Sequence, residues 1–174
     1  MRKNLFVIIS ILITRIILTV DWCYATLVAD NDHSTALDTV KAVFVLDGKQ
    51  VPYSIIKSTY IYLDFWASWC KPCIRDIPQL KEIYEKYKDR GFEIIGISLD
   101  EDKKLWLKAL EKIDAPWIHL CDFKGSKSKV VEVYHIKGIP CGILLDKNGI
   151  IIETDLIGSI FLDKKMQELF DRQK

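Results

Sequence analysis

Hydrophobic positions along the chain change period several times, and each change marks an element. Over 60–66 the run Tyr-Ile-Tyr-Leu-Asp-Phe-Trp is almost continuously apolar, as a central strand buried on both faces requires. Its single charge, Asp64, is the anomaly to explain. Past Cys70 the spacing shifts to threes and fours at Ile74, Ile77, Leu80, Tyr84 and Tyr87, the stripe of an amphipathic helix laid on a sheet. Gly91 supplies its stop, and Pro78 inside the stripe predicts a kink. Residues 92–99 read as the next buried strand. Asp100 then stands where it can cap a helix carrying Leu105, Trp106, Ala109, Leu110 and Ile113 on its inner side. Pro116 ends that helix, and 117–120 form a short strand. Residues 126–135 suggest another helix, although Val130, Val131 and Val133 suit a strand as well. Two strands, 142–145 and 150–155, flank Asp146-Lys147-Asn148-Gly149, and Asn-Gly between apolar runs is a strong hairpin signal. A last helix carries Leu162, Met166, Leu169 and Phe170. Upstream, Asp47-Gly48 between 42–46 and 49–53 reads as the turn of a small N-terminal hairpin.

The order is a hairpin, then strands alternating with helices, then a second hairpin and a helix. Alternation of this kind implies a parallel core sheet, to which the terminal hairpin adds an antiparallel part. It also directs attention to the C-terminal ends of the strands, where such sheets carry their working residues.

The first residues follow a different pattern. Met1-Arg2-Lys3-Asn4 is basic, and the stretch 5–20 is apolar apart from Ser10, Thr14 and Arg15. A basic start before a short apolar run is the layout of a secretory signal. A spanning helix wants about 20 apolar residues, and Arg15 near a bilayer centre would cost roughly 2.5–3.5 kcal/mol. A cleaved signal over residues 1–25 is therefore expected, with small residues at Cys23 and Ala25 suiting cleavage after Ala25. An uncleaved anchor and a lipoprotein are the alternatives; Asp21-Trp22 before Cys23 fit the latter poorly. Residues 26–40 read as a flexible leader and 41–174 as the folded domain. The expected location is an exported compartment, periplasmic or membrane-anchored facing the periplasm.

Composition narrows the function. The 174 residues suffice for one domain with a sizeable core. With 25 basic and 24 acidic side chains the net charge is +1, so the basic excess that a nucleic-acid partner demands is missing. The cysteines are Cys23, Cys70, Cys73, Cys121 and Cys141. An exported compartment permits disulfides, but a chain with this much core does not need staples, so a close cysteine pair reads as reactive.

Trp69-Cys70-Lys71-Pro72-Cys73 falls where the buried strand ends and the first helix begins. A helix N-terminus presents free N–H groups and a partial positive charge, and both favour a thiolate. Lys71 adds a neighbouring cation, and Pro72 suits an early helical position. Cys70 is therefore the expected nucleophile. Cys73, one turn on, is the expected resolving thiol. Asp64 lies six residues before Cys70 on the strand that runs beneath the helix start. Burial raises a carboxyl pKa, which would let Asp64 take the proton from Cys73 as that thiol attacks. Against this stands a metal reading, since Cys-x-x-Cys often supplies two of four zinc ligands. No second pair is present, and His33, His119 and His135 are scattered, so neither a metal nor any cofactor is expected. The alternative function is a metal carrier or assembly factor holding a ligand on the same cysteines. Trp69 is expected to form a partly exposed wall of a substrate groove.

The segment Asp64-Phe65-Trp66-Ala67-Ser68-Trp69-Cys70-Lys71-Pro72-Cys73 resembles the active-site segment of thioredoxin-like proteins. Pro78 matches that family's helix proline, and Gly138-Ile139-Pro140 resembles its cis-proline loop. The run 142–149 is similar to that of exported, TlpA-like thiol–disulfide reductases. The resemblance covers roughly residues 42–172 and implies a thioredoxin-like α/β fold: a central mixed β-sheet flanked by helices, with an extra N-terminal β-hairpin. It implies a monomeric protein-disulfide oxidoreductase acting on protein dithiol or disulfide partners, probing their backbone with Ile139 and Pro140 and fed by a membrane electron donor. Two departures stand out. Lys71-Pro72 replaces the Gly-Pro of thioredoxin itself, and the added cation implies a reduction potential above thioredoxin's roughly −270 mV. Cys141 stands where the family usually has threonine; it is either a small packing residue or a third redox sulfur near Cys70. Cys121 is expected to be inert core.

Overall fold

The computed structural model describes residues 45–46, 49–50 and 58–172, all within the unit His33–Lys174. The expectations for the signal over 1–25 and the leader over 26–40 lie outside these residues. Of the N-terminal hairpin, β1 (Val45–Leu46) and β2 (Lys49–Gln50) are described, and they pair antiparallel.

The main sheet has five strands in the order β5-β4-β3-β6-β7. β3 (Tyr60–Trp66) is central, parallel to β4 (Phe92–Ser98), which is in turn parallel to β5 (Ile118–Cys121). On its other side β3 runs antiparallel to β6 (Cys141–Asp146), which carries β7 (Ile151–Glu153) at the outer edge. All seven residues of β3 are buried, so its near-continuous apolar run reflects burial on both faces.

Helix α1 (Lys71–Tyr87) follows β3 and buries Cys73, Ile77, Leu80, Ile83 and Tyr87; of the expected stripe, Ile74 and Tyr84 lie at its edge and are only partly buried. It tightens into a 3-10 turn over Lys88–Arg90 and stops at Gly91, whose φ of 85° needs a residue without Cβ. Helix α2 (Lys103–Ile113) corrects two expectations. Its cap is Asp102, whose carboxylate accepts from the N–H groups of Lys104 and Leu105 at 2.7 and 3.1 Å; Asp100 is engaged elsewhere. Leu105 is not on the inner side but 55% exposed, because the buried stripe runs through Trp106 and Ile113. In the ambiguous stretch 126–135 the helix α3 (Lys129–Val133) forms after a 3-10 turn, and Val130 is its buried anchor. Helix α4 (Ser159–Asp171) packs on α1 through Leu162, Met166 and Phe170, with Phe170 stacked on Tyr87 at 5.3 Å between ring centroids. The β6–β7 turn is held by Asp146, whose Oδ1 accepts from Asn148 and Ile150 N–H, both at 2.8 Å.

Side chains of β3 alternate between two cores. Tyr60, Tyr62 and Trp66 join the layer beneath α1, α2 and α4, and Ile61, Leu63 and Phe65 join the opposite layer with β4, β6 and α3. Gly142 fits this arrangement closely: a Cβ there would lie 1.9 Å from Tyr62 Oη and 2.2 Å from its Cζ.

Candidate active site

β3 ends at Trp66, and three residues later the chain enters α1 with Cys70 as its N-cap. Cys70 N–H donates to the Ala67 carbonyl at 3.0 Å, closing the turn, and the Cys70 carbonyl accepts from Ile74 N–H at 3.1 Å. The backbone N–H of Cys73 points at Cys70 Sγ, 3.3 Å away. Pro72 occupies the first turn, where its missing N–H removes no helical bond. Cys70 and Cys73 are joined by a disulfide, with Cα atoms 5.3 Å apart. Each residue is only 4% exposed. A sulfur at a helix N-terminus facing an N–H is placed for a thiolate, since dipole and hydrogen bond both favour the anion.

The turn before Cys70 is fixed by a residue that sequence reasoning assigned to another task. Asp100, buried just past the end of β4, accepts from Ser68 N–H at 2.9 Å and from Ser68 Oγ at 2.5 Å. Ser98 Oγ donates to the same carboxylate at 2.7 Å. Leu99 N–H donates to the Trp66 carbonyl at 2.8 Å, so the rims of β3 and β4 are tied together. Asp100 thus positions the turn that leads to Cys70, bonding Ser68 from 32 residues away in sequence. A signal was present: three acidic residues in succession, 100–102, exceed what one cap requires.

Asp64 lies two residues from both Tyr62 and Trp66 on β3, so it faces the same layer, in which Cys70 and Cys73 pack. It is 6% exposed, and its Oδ2 has no hydrogen-bond partner among the described residues. Burial first, and the nearby Asp76 carboxylate second, push its pKa up to about 7. Asp76 is itself held by Ser159, whose N–H and Oγ donate to its two oxygens at 2.9 and 2.7 Å, linking α1 to the start of α4. Tyr62 donates to the Leu156 carbonyl at 3.3 Å. A buried carboxyl that titrates near neutrality is suited to hold or release one proton beside the pair.

The remaining candidates distribute around the pair. The Ile139–Pro140 peptide bond is cis. Pro140 and Pro72 line one cleft together with Arg75 and Asp76, and Trp69, 63% exposed, lines a second groove with Ile139, Gly138 and Leu99. Lys71 lies in neither; it opens a third groove between α1 and α2. Cys141 is paired in register with Phe65 and packs with Leu63 and Ile143, while its thiol also interacts electrostatically with Asp64 and Tyr62, which share the layer of the cysteine pair. Its thiol is free, and burial raises its pKa. Cys121 is also buried and free, its thiol donating to the Asp100 carbonyl at 3.4 Å. Burial likewise holds His119 down at about 4, between the rings of Trp66 and Trp117.

Known proteins resemble this chain in sequence and in fold. A family model described as thioredoxin-like matches residues 58–151. The thiol-disulfide oxidoreductase ResA of Bacillus cereus is 33% identical over 108 residues, which are 62% of this chain and 61% of that protein. The chain thus spans less than two thirds of this relative's length. The structure of a thiol-disulfide oxidoreductase from Bacteroides fragilis is 36% identical, matching 70% of this chain and 90% of the other with a TM-score of 0.63. The thioredoxin domain of a thiol-disulfide oxidoreductase from Bacteroides vulgatus is 33% identical over 71% of this chain and 88% of the other, also with a TM-score of 0.63.

Proposed function

Because the chain belongs to the thioredoxin-like family, we propose that it is an exported thiol–disulfide oxidoreductase that reduces protein disulfides through Cys70 and Cys73. The observation that carries this reading is the Cys70–Cys73 disulfide at the start of α1, with Cys70 as the N-cap and the Cys73 N–H aimed at its sulfur. Export rests on the basic start and apolar run of residues 1–20.

In the reduced protein the Cys70 thiolate attacks one sulfur of a partner disulfide. A mixed disulfide forms, and the partner's other sulfur leaves as a thiolate. Cys73 then loses its proton to Asp64 and attacks Cys70 Sγ, which releases the partner's second thiolate and closes the Cys70–Cys73 bond. Two electrons pass from the pair to the partner, and a membrane dithiol donor returns them. Asp64 suits its part because a carboxylate with a pKa of about 7 both accepts a proton and gives it up near neutral pH. Trp69, Ile139 and Pro140 form the walls along which the partner backbone lies, with Lys71 and Pro72 at its edge.

The test is a trapping experiment on a protein disulfide substrate. Cys73→Ala should accumulate a mixed disulfide through Cys70, and Cys70→Ala should accumulate none; the reverse pattern would overturn the assignment of nucleophile. Equilibration with glutathione should give a potential above thioredoxin's roughly −270 mV, because Lys71 stabilises the thiolate form. Cys141→Ser in the same assay should leave that potential unchanged, since Cys141 is bonded to neither sulfur of the pair and packs with Leu63 and Ile143.

A further inference from the structure

The groove between α1 and α2 adjoins the exchange site through Lys71 and Ser68, but its other lining residues have no role in the exchange chemistry. It encloses about 700 Å³. Its floor is apolar, made by Ile74, Leu105, Ala109 and Ile113. Its walls carry Lys71 and Arg75 on α1 and Lys108 and Lys112 on α2. Each wall therefore repeats a cation after four residues, one helical turn, along the same side of its helix. All four cations are exposed, no carboxylate lines the groove, and none of the four makes an ion pair with another described residue. In a chain of net charge +1 this is a local concentration of one sign.

We propose that this groove docks an acidic amphipathic helix of the protein partner that exchanges electrons with Cys70–Cys73, an inference that rests on the oxidoreductase reading. An apolar floor between two cationic rails complements a helix with an apolar stripe flanked by carboxylates at the same one-turn interval. The groove is concave, which suits a helix face better than a flat anionic bilayer. Lys71 stands at the end next to Cys70, so a segment seated here holds its own protein beside the disulfide. The neighbouring groove fixes the direction of approach. Leu105 lines both grooves, and beyond it the exposed charges are mainly acidic, Glu101 and Asp102 against the single cation Lys137. A partner helix must therefore keep its carboxylates on the Lys108 side of Leu105 and away from the acidic side, where like charges repel.

The test uses the full chain and a designed peptide probe with leucines at i, i+3, i+4 and i+7 and glutamates flanking them, read by fluorescence anisotropy. Wild type should bind the peptide in a salt-dependent manner. Lys108→Glu combined with Lys112→Glu should weaken binding at least about tenfold, and so should replacing the peptide's glutamates by lysines. Ala109→Arg, which fills the floor and keeps every native cation, should weaken it similarly and serves if the double variant misfolds. Binding equal in wild type and variants overturns the proposal. So does preferential capture of wild type by phosphatidylglycerol vesicles with no peptide binding, which would assign the groove to a membrane. Exchange of the cysteine pair with glutathione is followed separately: an inert pair sinks the oxidoreductase reading, whereas an active pair with no groove selectivity sinks the docking site alone.

Discussion

The two faces of β3 look onto interiors of different character, although they are built from alternate residues of one strand. Ile61, Leu63 and Phe65 enter a layer of aliphatic and aromatic side chains shared with Ile95, Ile97, Leu120 and Leu145. Tyr62, Asp64 and Trp66 enter a layer that also holds the cysteine pair and contains a buried hydroxyl, a buried carboxyl and a buried indole N–H. The first face supplies free energy by burial. The second gives some of that up, because a buried carboxyl with an unpartnered oxygen is a cost. The sheet thus separates holding the fold from holding the proton, and a single period-2 alternation achieves it.

Substitutions on each face can sharpen or break this contrast. The largest expected effect is on the apolar side: Phe65→Ala should cost about 3–5 kcal/mol at every pH, through lost burial and the cavity left behind. Asp64→Asn should act in the opposite sense and depend on pH. The Asp64 carboxyl rises from 3.8 to about 7 in the fold, so between those values the folded chain holds a proton that the unfolded chain has released. Stability therefore falls as pH rises through that window, by on the order of 2–4 kcal/mol. Urea midpoints should show the asparagine variant more stable by about that amount at pH 8 and nearly level with wild type at pH 4, with slower exchange throughout. A variant no more stable than wild type at pH 8 breaks the contrast. The smallest effect is expected from Gly142→Ala, the register partner of Asp64, whose Cβ would meet the Tyr62 ring. Displacing that rigid ring should cost about 1–3 kcal/mol in the same urea experiment, at both pH values.

Much of this was legible in the sequence where the cause was local. The buried run of β3, the stripe of α1, the Asn-Gly hairpin and the cysteine pair all follow from spacing within a few residues. The cis bond before Pro140 came from family likeness, since no short-range pattern of Gly138-Ile139-Pro140 distinguishes cis from trans. Asp100 was misread because Asp100, Glu101 and Asp102 all look like caps, and only the position of Ser68 tells which carboxylate is needed at the turn. Leu105 was misplaced because a helical stripe drifts around its axis, so one end of an apolar series can leave the buried face. The α1–α2 groove was invisible for the same reason as Asp100: its two rails are more than thirty residues apart in sequence and meet only in the folded chain.

The central place of β3 has a consequence for how the molecule moves. Both edges of the strand are bonded, to β4 on one side and β6 on the other, so its amides have no free rim from which to fray. They exchange with solvent deuterium only when the whole sheet opens. The turn from Ala67 to Cys70 lies past the end of that strand and is held by its own bonds, Ser68 to Asp100 and Cys70 N–H to Ala67, so it can open without the sheet opening. On the proposed function, a partner then seats itself, trades sulfur bonds and departs while the frame beneath it stays in a single state.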